Sequence, residues 1–278
     1  MNPNLRNISV LIVLFTLALM GKAQDRDFSI VLNGTSYASP AVFMQESNVI
    51  TVEFWAFRED WKTAVEEVML SFHENGGWEL KLSDGNIKLA IYLDGVERTI
   101  SYPLISATPG WHHIAFTFDG NYAKLYIDGY QQGYYFDFRS LIKAPLANTW
   151  LSIGADAIVN GVASMRFNGM IDEVRIWSKA VALNDLRDWM HRKITVDSKP
   201  SYINNLTVYY PFDSTDVLID KSVEYNVSTA YDLVNSSSIS DTTLSAPTQY
   251  FTGEYSNVRS LWSAFAQSTF SEPSGGLN

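Results

Sequence analysis

The stretch Gly110-Trp111-His112-His113-Ile114-Ala115-Phe116-Thr117-Phe118-Asp119-Gly120 decides the fold, together with its continuation Leu125-Tyr126-Ile127-Asp128-Gly129. Ile114, Phe116 and Phe118 alternate with Ala115 and Thr117, the period-two pattern of a strand with one buried face. The chain turns at Asp119-Gly120-Asn121, runs extended from Ala123 to Ile127 and turns again at Asp128-Gly129. Asp-Gly pairs supply the positive φ that tight hairpins need.

The same grammar extends in both directions. Ser29 to Leu32 precedes Asn33-Gly34, and Ile50 to Phe57 places Ile50, Val52, Phe54 and Ala56 on one face. Val68 to Phe72, Trp78 to Leu82, Ile87 to Leu93 and Val96 to Tyr102 follow, separated by Asn75-Gly76-Gly77, Ser83-Asp84-Gly85 and Asp94-Gly95. Short strands at regular spacing with turn residues between them predict an all-β sandwich. One helix is expected from about Leu183 to His191, with Asn184 as its start because Ala182 is a poor cap. Leu206 to Phe212 reads as a further strand, with Pro211 barred from a paired interior.

The first residues point to export. Arg6 in a polar start, an apolar run from Ile8 to Met20 and the exit Gly21-Lys22-Ala23 make a signal-peptide pattern over 1–23. The run is shorter than the 20 or so apolar residues that cross a bilayer, so no membrane span remains after its removal. Cysteine is absent from all 278 residues, so stability must come from burial, which 46% hydrophobic and 14% aromatic content supports. An exported chain without cysteine suggests a bacterial source, with the mature protein extracellular or at the cell surface. The net charge of −10 disfavours nucleic acid as a partner. The domain is expected over 24–193, a linker and strand-like extension over 194–250, and a tail at 251–278 that reads as the start of a further domain.

Three motifs resemble the laminin-G-like domains of the concanavalin-A-like lectin/glucanase superfamily, in their bacterial exported type. They are Phe28 to Gly34 with Val52-Glu53-Phe54-Trp55, the Gly110 to Gly129 stretch, and Phe167 to Trp177 leading into the helix. The resemblance covers residues 27 to 193. It implies a two-sheet antiparallel jelly-roll sandwich with one short C-terminal helix and an irregular C-terminal extension. Glucanases of this group carry Glu-x-Asp-x-x-Glu on a strand, two of whose carboxylates act as nucleophile and acid. That motif is absent here, so the chain is expected not to be an enzyme. His112 and His113 point to opposite faces of a strand and cannot share a metal, and His73 and His191 stand alone in sequence.

Asp172 is expected on the core side with Val174 and Ile176, where a carboxylate needs donors or a cation. The resemblance implies one structural Ca2+ there, held with the Asn33-Gly34 turn; backbone N–H groups or an arginine would serve equally. For a ligand, the loops are the place to look. Asp60 and Trp61, His73 and Asn75 with Trp78, and the segment from Asp156 to Asn160 mix polar groups with aromatics, and Trp61 stands out as a stacking platform. The expected function is a binding module, adhesin-like, recognising glycan or a surface protein. A structural subunit of an envelope or secretion assembly, or an accessory domain of a polysaccharide-degrading enzyme, are the other readings.

Overall fold

A computed structural model describes residues 28–40, 42, 44–104, 109–137, 139–146, 149–156, 163–212, 220–222 and 249–252. The expected signal peptide, the loop residues beyond Asp156 and the tail beyond residue 252 lie outside this set.

Two antiparallel sheets pack face to face, as the resemblance implied. The larger contains β1 (Phe28–Asn33), β2 (Ile50–Arg58), β7 (Gly110–Phe118), β8 (Tyr122–Ile127), β9 (Tyr130–Phe136), β11 (Asn168–Trp177), β12 (Leu206–Tyr210) and β13 (Gln249–Thr252). Its order is β13-β1-β11-β2-β7-β8-β9. β1 pairs with the first half of β11 and β12 with the second, so two strands share one side of it. The smaller sheet contains β3 (Glu67–Ser71), β4 (Trp78–Ser83), β5 (Asn86–Leu93), β6 (Val96–Pro103) and β10 (Ser152–Ile153), in the order β10-β3-β4-β5-β6. The two-residue β10 is too short to carry a readable pattern.

Alternation decides what lies between the sheets. Ile114, Phe116 and Phe118 of β7 meet Leu80, Leu82, Leu89 and Ile91 of the smaller sheet in one core. The outward face of the larger sheet is covered instead by helix α1 (Leu183–Trp189) and the chain after it. Ala115, Tyr126 and Trp177 pack there against Leu186, Ile194, Tyr202, Ile203 and Tyr209. Residues 194–212 therefore dock on the domain and do not stand off as a linker. They bury apolar side chains on the sheet and add β12 to β11. Pro211 falls just past β12, where no ladder hydrogen bond is asked of it.

Two local expectations are corrected. The helix begins at Leu183 with Ala182 as its cap and no side-chain capping bond, not at Asn184. Docking of Leu186 substitutes for the cap, since tertiary burial outweighs a cap worth about 1 kcal/mol. Asp172 is also on the other face from the one expected. The register of β11 on β2 shifts between Asp172 and Arg175, and Glu173 sits at φ 52°. The extra residue of this bulge breaks the alternation, so Ile171, Val174 and Ile176 all face the core. Asp172 pairs with Trp55, which belongs to a separate outer cluster with Trp111.

Candidate functional site

The residues expected to bind ligand divide between two ends of the sandwich. Trp61 follows β2 and is only 2% exposed. Its indole N–H donates to the Gly110 carbonyl at 3.3 Å, and its ring meets His112 edge-on at 5.2 Å. Trp61 is thus a packing residue and offers no open face to a sugar. Asp60 turns inward on its own loop, accepting the Lys62 N–H at 2.8 Å. Trp78 is wholly buried, with its ring edge-on to Phe72 and Phe116 at 5.6 and 5.2 Å. Asn75 takes φ 51° at the apex of the β3–β4 loop and serves the turn.

The expected calcium ligands do not converge. Asn33 pairs with Asn168 on β11, four positions from Asp172, which separates them by about 13 Å along the strand. The Asn33 side-chain oxygen is already engaged by Thr35 and Ser36, from 2.7 to 3.2 Å. The Gly34 N–H donates to the Phe167 carbonyl. Asp172 accepts the Glu173 N–H at 2.7 Å, one of the donor contacts expected of a buried carboxylate.

His73 and Asp156 do come together, around a residue that sequence reading passed over. Glu79 on β4 points away from the core between Trp78 and Leu80, which point into it. One ligand atom each of His73, Glu79 and Asp156 lie within 4.8 Å of one another. The Glu79 side chain is 2% exposed; its Oε1 meets Lys81 Nζ at 3.1 Å, while Oε2 has no hydrogen-bond partner. Gly154 directs Asp156 here: at φ 84° it brings the backbone so close that a Cβ would lie 2.4 Å from Leu32 Cδ1.

Burial, and after it the Asp156 carboxyl, push Glu79 from 4.5 up to about 8. The sign of the pH effect follows. The folded chain keeps a proton on Glu79 that the unfolded chain gives up above 4.5, so this contribution to stability is complete below 4.5 and is lost as pH rises towards about 8. In the presence of chelator, the melting temperature of Glu79→Gln should gain on the wild type across this interval. Parallel curves between pH 5 and 9 would overturn the assignment.

A second group of features surrounds the β7–β8 turn. Tyr122, Tyr134 and Phe136 point outward from β8 and β9 and are 39%, 62% and 49% exposed. Tyr122 lies 4.8 Å from Phe136 and 6.0 Å from Tyr134, and Lys124 Nζ sits over its ring at 5.3 Å. Cross-strand pairing of Tyr122 with Phe136 and Lys124 with Tyr134 sets them on one face. Next along the chain from Tyr122 is a cleft of about 240 Å³, lined by Asn48, Asp119, Gly120, Asn121, Arg139, Ser140 and Leu141. Arg139 holds φ 55°, strained for a non-glycine residue, with its N–H donated to Asn121 Oδ1 at 3.1 Å.

Residues 32–187 match the family model of the concanavalin A-like lectin/glucanases superfamily. The chain belongs to that superfamily. No curated protein matches the sequence. Among solved structures, a Bacteroides ovatus ATCC 8483 protein described provisionally as carbohydrate-binding is similar, at TM-score 0.53 and 19% identity. The match covers 68% of this chain and 52% of that one, so the chain spans about half the length of the Bacteroides protein. The heptameric SAP-like pentraxin from Limulus polyphemus aligns at TM-score 0.47 and 15% identity, over 60% of this chain and 82% of that one. The likeness to the Bacteroides protein shows the fold alone.

Within the superfamily fold, the smaller sheet's outward face carries the one His–carboxylate group that could hold a metal among the described residues. Glu79 escaped sequence reading because its partner Asp156 is remote in sequence. The only available signal was its place on the outward alternation of β4. The aromatic row was equally hidden: Tyr122, Tyr134 and Phe136 look like ordinary strand residues until pairing sets them on one partly exposed face.

Proposed function

We propose that the protein is an exported, non-catalytic module that binds glycan across the Tyr122–Tyr134–Phe136 face and the adjoining cleft. The observation that carries this reading is three exposed aromatic rings beside a cleft lined by amide, carboxylate, hydroxyl and guanidinium groups. Flat aromatic surface suits the apolar face of a sugar ring, and converging polar groups suit its hydroxyls. The signal-peptide pattern at 1–23 supports export to the surface of a bacterial cell or beyond it. The provisional carbohydrate-binding description of the Bacteroides protein agrees at the level of the fold.

The carboxylate geometry argues against hydrolysis. Glycosidases of this chemistry hold two carboxyl groups about 5 Å or more apart, on either side of the scissile bond. Glu79 and Asp156 approach within 4.8 Å, with Glu79 almost sealed from solvent. A carboxylate so little exposed is not presented to a sugar at the surface.

The test is binding of soluble oligosaccharides on a glycan array, followed by calorimetry of the best ligand. Tyr134→Ala should weaken binding roughly tenfold, about 1.4 kcal/mol, and leave the melting temperature within a degree or so because the ring is largely exposed. Asn121→Ala should weaken binding comparably. Binding to no glycan, with an envelope protein co-purifying through the same aromatic face, would replace this reading with that of an assembly subunit.

A further inference from the structure

We infer that His73, Glu79 and Asp156 form a binding site for one divalent transition-metal ion of the zinc class. The site lies on the outward face of the smaller sheet and is independent of the glycan reading. Its three ligand atoms come from three parts of the chain: His73 just after β3, Glu79 within β4, and Asp156 after β10.

Two carboxyl groups meet here with one ammonium, that of Lys81, beside them. Two carboxylates are acceptors only and cannot hydrogen-bond one another unless a proton or a cation stands between them. Lys81 satisfies Glu79 Oε1 but leaves Oε2, on a side chain 98% removed from solvent, without a partner. A buried unpartnered carboxylate oxygen aimed at a second carboxyl and an imidazole is the arrangement that a metal ion completes.

The donor set selects the class of ion. Calcium and magnesium take oxygen ligands, six or more for calcium. One imidazole nitrogen with two carboxylate oxygens suits zinc, which binds such atoms at about 2.0 to 2.2 Å in a tetrahedron. Tetrahedral ligands stand about 3.4 Å apart, and the three atoms already lie within 4.8 Å of one another, so a small side-chain adjustment brings them onto one ion. The His73 ring lies against Tyr92 at 5.1 Å, and its Nε2 is buried without a hydrogen-bond partner, 3.4 Å from Glu97 Oε2. Three protein ligands leave a fourth position open to water or to a donor from outside.

Bound metal would tie the segment carrying Asp156 to β4 and so stabilise the folded chain by mass action. The experiment uses the full mature chain, stripped with chelator and dialysed, titrated with ZnCl2 by calorimetry and followed by thermal melting. The expected result is one zinc per chain and a rise in melting temperature that excess chelator reverses. His73→Ala and Glu79→Gln should each weaken zinc binding at least tenfold, and His191→Ala should not. Melting of each variant in chelator separates lost binding from lost folding; if Glu79→Gln melts well below the wild type, Asp156→Asn takes its place. Absence of zinc binding, or affinity unchanged in His73→Ala and Glu79→Gln, would overturn the site. So would a melting response to CaCl2 that Glu79→Gln abolishes and His73→Ala does not touch, since that would be an oxygen-only cation site.

Discussion

Replacing Arg175 with alanine should lower the melting temperature by about 10 °C, the equivalent of about 3 to 5 kcal/mol in a domain of this size. Arg175 is 1% exposed on the outward face of β11. Its guanidinium donates to the Glu173 carboxylate through Nε and Nη2, to the Trp189 carbonyl at 3.0 Å and to the Arg192 carbonyl at 2.6 Å. It also lies 3.8 Å from Glu53 Oε1. Burial opposes its charge, but the carboxylates of Glu173 and Glu53 more than compensate and hold the proton more firmly than in a free guanidinium. One side chain thus offsets part of the charge of two buried acids and ties the end of α1 to the sheet.

Glu53 depends on the same network. Burial raises its carboxyl, yet His113 at 3.1 Å, the Arg175 charge and the Trp177 indole N–H at 2.8 Å together bring it below its ordinary value. Without Arg175, Glu53 and Glu173 would be left charged in a dry layer, a loss larger than the net worth of the intact network. The measurement is thermal or urea unfolding of Arg175→Ala against the wild type. The double change Glu173→Leu with Arg175→Met should recover part of the loss, because it removes one buried charge of each sign. A shift of only a degree or two in the single variant would show that this layer is wet and the network slack.

Trp78→Ala should cost a similar amount, about 3 to 5 kcal/mol, through the cavity it leaves. The indole is wholly buried between Phe72 and Phe116, at the contact of the two sheets. No neighbour can relax into so large a void without moving a strand. Unfolding in urea should show a lower midpoint with an unchanged slope. Glycan affinity of the variant that remains folded should match the wild type. A stable Trp78→Ala chain that has lost its ligand would instead make this tryptophan part of the site.

Trp78 and Trp61 illustrate what the sequence can and cannot say. Each stands in or beside a polar, glycine-rich loop, and polar neighbours suggest exposure. Where a ring at the end of a strand points depends on which residue the other sheet or the next strand places opposite it. For Trp61 this is Gly110 and His112, and for Trp78 it is Phe116. Asp172 failed for a different reason. Alternation assumes an unbroken ladder, and the bulge after it inverts the phase of everything that follows.

The strands, their hairpins and the helix were legible because they rest on local physics: period-two burial, turns that need positive φ, and one short amphipathic stretch. The sequence by itself also determined that the fold is an all-β sandwich without disulfides and that no paired-carboxylate strand motif is present. The sites lay beyond it. His73 meets Glu79 and Asp156 only because β3 lies between β4 and β10, and Tyr122, Tyr134 and Phe136 share an open face only because β8 and β9 pair in one register. Helix α1 covers Tyr126, four residues beyond Tyr122 on the same outward face, and leaves Tyr122 39% exposed. Long-range pairing chooses which outward side chains meet and which remain bare, and no local pattern encodes that choice.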